Sequence, residues 1–270
     1  MERSCELKFQ SPSFFQRLKG MLGVDCYRLF HTPLFYIFLG IAAIIPALVS
    51  MGNSGETASM FTNAWQIVAA DSPLYIVNTI GEYANMNMVF IFGGIMVSIF
   101  IGHDYRSGYV KQLFTTHARK EDYMMSKTLI GAFSMACMCM TYLIGGIASG
   151  VFSGLSFEVK AGSLFCAILG KMIMSLGWAS LYTFINIIFR SKFWISIILC
   201  FVLGTGIPVI GAAAVVGNSV ALKIFLDRSS VYACLSSNIL SVLVCLVCSA
   251  VWAVIYHALG WFVLTHRDVY

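Results

Sequence analysis

The chain has 270 residues, of which 59% are hydrophobic and 11% charged, with a net charge of +5 and a mean hydropathy of +0.83. A soluble domain carries about 25% charged residues, and at this length there are too few polar side chains to cover a water-exposed surface. The composition therefore excludes an ordinary soluble protein and points to a bilayer as solvent. The positive charges gather at the ends of apolar runs, with none of the basic stripe and interleaved aromatics of a nucleic-acid binder.

The first 33 residues carry Arg3, Lys8, Arg17, Lys19 and Arg28 but no clean apolar core of a signal peptide, so the first span is expected to act as its own insertion signal. Within this segment Phe14, Phe15, Leu18, Met21 and Leu22 recur at helical spacing beside Arg17 and Lys19. That predicts an amphipathic helix suited to the inner headgroup layer; a short helix packed beneath a bundle would show the same pattern.

A span needs roughly 20 apolar residues. Six candidates follow: 34–51, with Pro46 inside it, then 86–102, 128–154, 161–189, interrupted by Lys171, 193–216 and 237–265. They use most of the chain and predict an all-α integral membrane protein with a single transmembrane domain over 1–270. The third span carries Gly146, Gly150 and Gly154 at four-residue intervals, a small-residue face that lets another helix approach closely. The 217–236 segment, with Lys223, Asp227 and Arg228 among apolar residues, is either a partly re-entrant element or a plain loop.

Lysines and arginines set the orientation. With both ends inside, thirteen fall on the cytoplasmic side and three, Lys160, Lys223 and Arg228, on the other. Both termini and the polar segment 103–127 are therefore expected to face the cytoplasm.

The nine cysteines sit mostly in apolar runs and read as small buried hydrophobes. Cys245 and Cys248 form a C-x-x-C, but with no second ligand pair. His103, Asp104 and His117 offer no fourth ligand for a metal. A phosphate-binding loop needs G-x-x-x-x-G-K followed by Ser or Thr; Gly170-Lys171-Met172 lacks the first Gly and the hydroxyl. No catalytic residue, metal or cofactor is expected in this chain.

The segment 103–127 is the one long polar stretch. Tyr109, Val110, Leu113 and Phe114 share one helical face, Gly108 permits a bend before them, Arg119, Lys120, Glu121 and Asp122 form a charged corner, and Lys127 opens the next span. A pure connector could be far shorter. A solvated loop with positive-inside charges explains the segment as well as a functional helix does.

The run Asp104, Gly108, Leu113, Ala118-Arg119 and Lys127 resembles the permeases of type-2 ATP-binding-cassette transporters, in which an acid ends the second span and a lysine opens the third. The six-span layout and the amphipathic amino-terminal helix are similar too, and the closest likeness is to the Gram-positive subgroup linked to bacteriocin and antimicrobial-peptide immunity or export. The proline common before the Ser-Arg pair is absent, and Thr116-His117 stands there.

The resemblance implies that 103–127 holds a coupling helix resting in a groove on a separate ATPase. Tyr109, Val110, Leu113 and Phe114 would form its apolar docking face, and Arg119, Lys120, Glu121 and Asp122 would set register. It further implies two ATPase copies carrying ATP and magnesium, a second permease subunit, identical or related, and export across the cell membrane. Walls rich in Phe, Met and Ile suit hydrophobic or amphipathic cargo such as peptides.

Two other functions fit less of the sequence. An ion-driven transporter needs ionisable residues at bilayer depth, and only Lys171 and His257 qualify. An intramembrane serine protease would have to use Ser149 or Ser153 with His257, without a complete G-x-S-G.

Overall fold

In a computed structural model the described residues are 13–51, 80–115, 119–152, 161–190, 192–204 and 239–266. They form eight helices: α1 (Phe14–Phe30), α2 (Pro33–Met51), α3 (Ile80–Arg106), α4 (Tyr109–Thr115), α5 (Lys120–Phe152), α6 (Ala161–Phe189), α7 (Phe193–Gly204) and α8 (Ile239–His266). No strand occurs among the described residues.

Stretches of α3, α5, α6 and α8 are each long and apolar enough to cross a membrane, and α1 with α2, bent by 67° at their junction, can supply a fifth crossing. The described part of the expected 193–216 span, α7, is a 12-residue helix, and the rest of that span lies outside the described residues, as do the 52–79 and 217–236 segments.

The helices outrun their apolar cores. α5 starts at Lys120, well before the expected 128, and α3 ends at Arg106 rather than 102. A helix bonds its own backbone whether its side chains meet lipid or water, so polar turns continue beyond the hydrocarbon. At the start of α5, Glu121 and Asp122 occupy the first turn, where the helix dipole favours acids. The charged corner expected as an elbow is thus the opening turn of a long helix.

Helix α6 sits at the centre, packed against α8 on one side, α5 on another, and α3 and α7 on a third; α2 packs along α5 and α1 crosses the foot of α5. The core runs through Trp178, whose ring stacks on Phe90 at 5.5 Å and lies 5.5 Å from Tyr182. Close approach depends on glycines: a Cβ on Gly94 would enter the Tyr182 ring, and one on Gly145 would run into the Ala43 carbonyl of α2. Gly146 and Gly150 lie one and five residues further along α5, and Gly154 lies outside the described residues. Among the described glycines of this helix, Gly145 makes the tightest contact and Gly131 packs closely against Val97 and Ala179. Helix α8 is the most open element, with Leu240, Val247 and Val254 exposed, as suits a helix facing lipid.

Helix α1 breaks from α2 for local reasons. The Thr32 hydroxyl donates to the Arg28 carbonyl at 2.7 Å, and Pro33, which has no N–H to give, opens the next helix. Of the expected apolar stripe, Leu18 is buried and Leu22 packs on the core. Phe15 is 78% exposed, and Val24 and Tyr27 are exposed with it. α1 therefore has one face on the bundle and an apolar fringe outside it.

Candidate functional site: a buried ion cluster at the helix elbow

Helices α1, α3 and α5 converge where α3 ends and α5 begins. Asp25 lies on the bundle-facing side of α1, one turn before Leu29, and both are fully buried. A carboxylate there is costly unless it is paired. Lys127 Nζ donates to Asp25 Oδ1 at 2.6 Å, and Ser126 Oγ donates to Asp25 Oδ2 at 2.6 Å. The same ammonium lies 2.7 Å from Asp104 Oδ2. Asp104 Oδ1 accepts from the Arg28 guanidinium, which also stands 3.6 Å from Asp25 Oδ1, and the Tyr123 hydroxyl lies 3.4 Å from Asp104 Oδ2. Two acids and two bases form a closed, neutral ring.

Aromatic rings roof the ring of charges. The Lys127 ammonium is 4.7 Å from the Phe100 centroid and the Arg28 guanidinium 4.7 Å from that of Tyr109, within cation–π range. Tyr109 belongs to α4, so all four elements meet here. Burial alone would lower the Arg28 pKa, but its hydrogen bond to Asp104 and the charges of Asp104 and Asp25 outweigh that and leave it above the usual arginine value. Burial, aided by the Asp25 charge, raises the Tyr109 phenol, with Arg28 opposing. Both groups hold their ordinary charge state. A second bridge, Arg17 Nε to Asp122 Oδ2 at 2.8 Å, ties α1 to α5 some 12–16 Å further along α1.

Gly108 joins α3 to α4 with φ +74°, a conformation cheap for glycine alone. Its N–H reaches the Tyr105 carbonyl at 3.4 Å, and its own carbonyl accepts from Gln112 at 3.1 Å. The chain turns sharply there and α4 lies against the bundle. Val110 is 1% exposed. Phe114 packs edge-on to Tyr123 with centroids 5.7 Å apart, and Leu113 is half-buried. The outward side presents His103, Arg106, Ser107, Lys111, Gln112 and Thr115, followed by Arg119 and Glu121.

The structure thus divides the sequence-predicted residues. Asp104, Tyr109, Lys127 and, nearby, Asp122 are drawn into contacts with α1. Lys120 reaches back to donate to the Leu264 carbonyl of α8 at 2.6 Å. Lys111, Arg119 and Glu121 remain at the surface, and Ala118 lies outside the described residues. The apolar residues expected to meet a partner, Val110 above all, turn toward the bundle, because that face is the one that covers the ion cluster. Asp25, Arg28, Phe100, Tyr123 and Ser126 were not singled out from the sequence. The available signal was an aspartate in register with the apolar stripe Leu18, Leu22 and Leu29.

The arrangement has a mechanical consequence. The Tyr109 ring holds α4 against Arg28 of α1 and Lys127 of α5, so displacing α4 without losing those cation–π contacts requires the ion-paired ends of α1, α3 and α5 to move with it.

The geometry separates one rival pair. His257 shares a groove with Glu121, while Ser149 lies 28 residues further along the same continuous helix α5, about 42 Å away at 1.5 Å per residue. Ser149 and His257 cannot form a catalytic pair, and Ser153 lies outside the described residues. Asp104 is committed to Arg28 and Lys127, which leaves it no role as a ligand beside His103.

Several apolar helices of membrane-crossing length and a polar elbow between two of them define a multi-pass membrane protein. The ABC-2 family transporter protein profile matches residues 26–207, and the chain belongs to that family. It is a membrane permease of an ABC transporter. The match begins at Cys26 and takes in Arg28, Asp104 and Lys127 of the ion cluster. No curated protein matches the chain.

Proposed function

We propose that this chain is the membrane subunit of an exporter that moves hydrophobic or amphipathic cargo, peptides foremost, and is driven by ATPase subunits made as separate chains. The observation that carries the reading is the ion cluster. A short helix exposed on one side and locked on the other to α1, α3 and α5 is what a device for receiving an external push requires. The ATPase would meet the outward side of α4, where Lys111 and Arg119 offer charge for steering and register.

In this reading the permease has six crossings and both ends on the cytoplasmic side, as the thirteen-to-three distribution of basic residues favours. Two permease subunits, identical or related, enclose the path, and two ATPase copies hold ATP and magnesium beneath them. The subgroup linked to antimicrobial-peptide immunity or export supplies the peptide reading. Ion-gradient drive is disfavoured: Lys171, the charged residue deepest in α6, has its ammonium 5.8 Å from the Tyr142 ring, and no acid accompanies it within α6.

Vesicles test this reading. Reconstituted with its ATPase, the chain is expected to move a hydrophobic peptide only when ATP is present. Transport driven by a proton or sodium gradient with no ATPase would overturn it.

A further inference from the structure

Away from the ion cluster, α5, α6 and α8 bound a groove of about 640 Å³. Its size is that of a small-ligand site. Its mouth lies between Phe14 of α1, Glu121 and Trp261, and its floor reaches Leu129, Leu176 and Ala253. The open side lies along Val254, Ala258 and Trp261, all exposed, on the face where α8 meets lipid.

Three polar groups break an otherwise apolar lining. Glu121 carries no hydrogen bond or salt bridge among the described residues, and neither does the His257 imidazole. The Thr128 hydroxyl is buried, 6% exposed as a residue, and has no hydrogen-bond partner. A buried hydroxyl without a partner is costly and calls for an occupant. Two nearby bases are engaged elsewhere, Lys120 on the Leu264 carbonyl and Arg17 on Asp122.

The polar groups stand at two levels. Helix α8 runs antiparallel to α5, with Leu264 beside Lys120 and Gly260 against Met124. That register brings His257 level with Thr128. Glu121 lies seven residues before Thr128 on the same face, about 10 Å away. An anion at the mouth and hydrogen-bonding groups about 10 Å inside match an extended chain of about three residues at ~3.3 Å each. The anion would meet an amino-terminal ammonium, and the inner pair a backbone amide. A plain alkylammonium would leave the inner groups unpaired, and a fatty acid would set its carboxylate against Glu121.

We propose that this groove binds a hydrophobic peptide segment by its free amino end, with the ammonium on Glu121, an amide on Thr128 and His257, and apolar side chains along α8. As a cargo entrance the site rests on the transport reading; as a binding site it does not. The test therefore uses the chain alone, in nanodiscs without ATPase.

Tetraleucine amide is the probe, compared with its N-acetylated form and with dodecylammonium. Saturable binding of the free-amine peptide is expected, at least tenfold tighter than that of either comparison compound. Glu121→Gln should erase the preference for the free amine, Glu121→Asp should keep it, and Thr128→Val should weaken both peptides alike. Ala258→Trp, which narrows the open side, should reduce binding of all three, and thermal unfolding shows that each variant is folded. Equal binding of the acetylated peptide, equal binding of dodecylammonium, or a Glu121→Gln variant that keeps the preference would each overturn the proposal.

Discussion

Replacing Lys127 with methionine is expected to destabilise the chain by about 3–5 kcal/mol, the cost of breaking a buried ion pair by removing one partner. Lys127 is the cation that lies close to both Asp25 and Asp104, at 2.6 and 2.7 Å. Without it two buried carboxylates share Arg28, whose contact to Asp25 is the longer 3.6 Å. Methionine keeps the length of the side chain and its packing against Phe100, so the loss is electrostatic. Adding Asp25→Asn to Lys127→Met removes the stranded charge and should recover part of the stability, giving a non-additive double-mutant cycle. Reversible unfolding in bicelles measures all three variants. Additive single losses, or a Lys127→Met cost under about 1 kcal/mol as for an exposed pair, would show that the cluster does not bind α1 to α5. ATP-driven transport should fall with stability in Lys127→Met and return in part in the double variant.

The second large effect concerns the outward side of α4. Reversing Lys111 and Arg119 together to glutamate should weaken ATPase binding at least tenfold while leaving thermal stability within about 0.5 kcal/mol, as is usual for exposed positions. Both side chains are exposed, and no hydrogen bond or ion pair joins either to another described residue. Like charges brought face to face across an interface cost several kcal/mol, and charges at the rim act chiefly on association rate. The loss should therefore appear mainly in the on-rate and shrink as salt is raised. Surface plasmon resonance at two ionic strengths reads both. Unchanged affinity would move the docking surface off α4.

Much of this architecture is legible in the sequence because hydrophobic length is a strong signal. The cores of α3, α5, α6 and α8 follow from their apolar runs, and the turn at Gly108 from the one residue type that takes φ +74° without penalty. Helix ends were less legible, because the backbone of α5 stays helical through Glu121 and Asp122, where hydropathy has already fallen. The face of α4 that meets the bundle could not be read from periodicity, which shows that Tyr109, Val110, Leu113 and Phe114 lie together but not what they touch. The ion cluster is a tertiary fact: Asp25 and Lys127 are 102 positions apart, and no local pattern pairs them. Gly145 was missed for a similar reason, since the spacing of Gly146, Gly150 and Gly154 describes one helix while the close contact depends on where α2 crosses it.

The central claim is that a separate ATPase grips the outward side of α4. Its most direct measurement is photocrosslinking in membranes from a benzoylphenylalanine placed at Gln112, exposed on that side, with a second at Ile144, 59% exposed near the far end of α5. The account predicts an adduct with the ATPase from position 112 and none from 144. Position 112 yielding no more ATPase adduct than position 144, in membranes where ATP-driven transport continues, would contradict it.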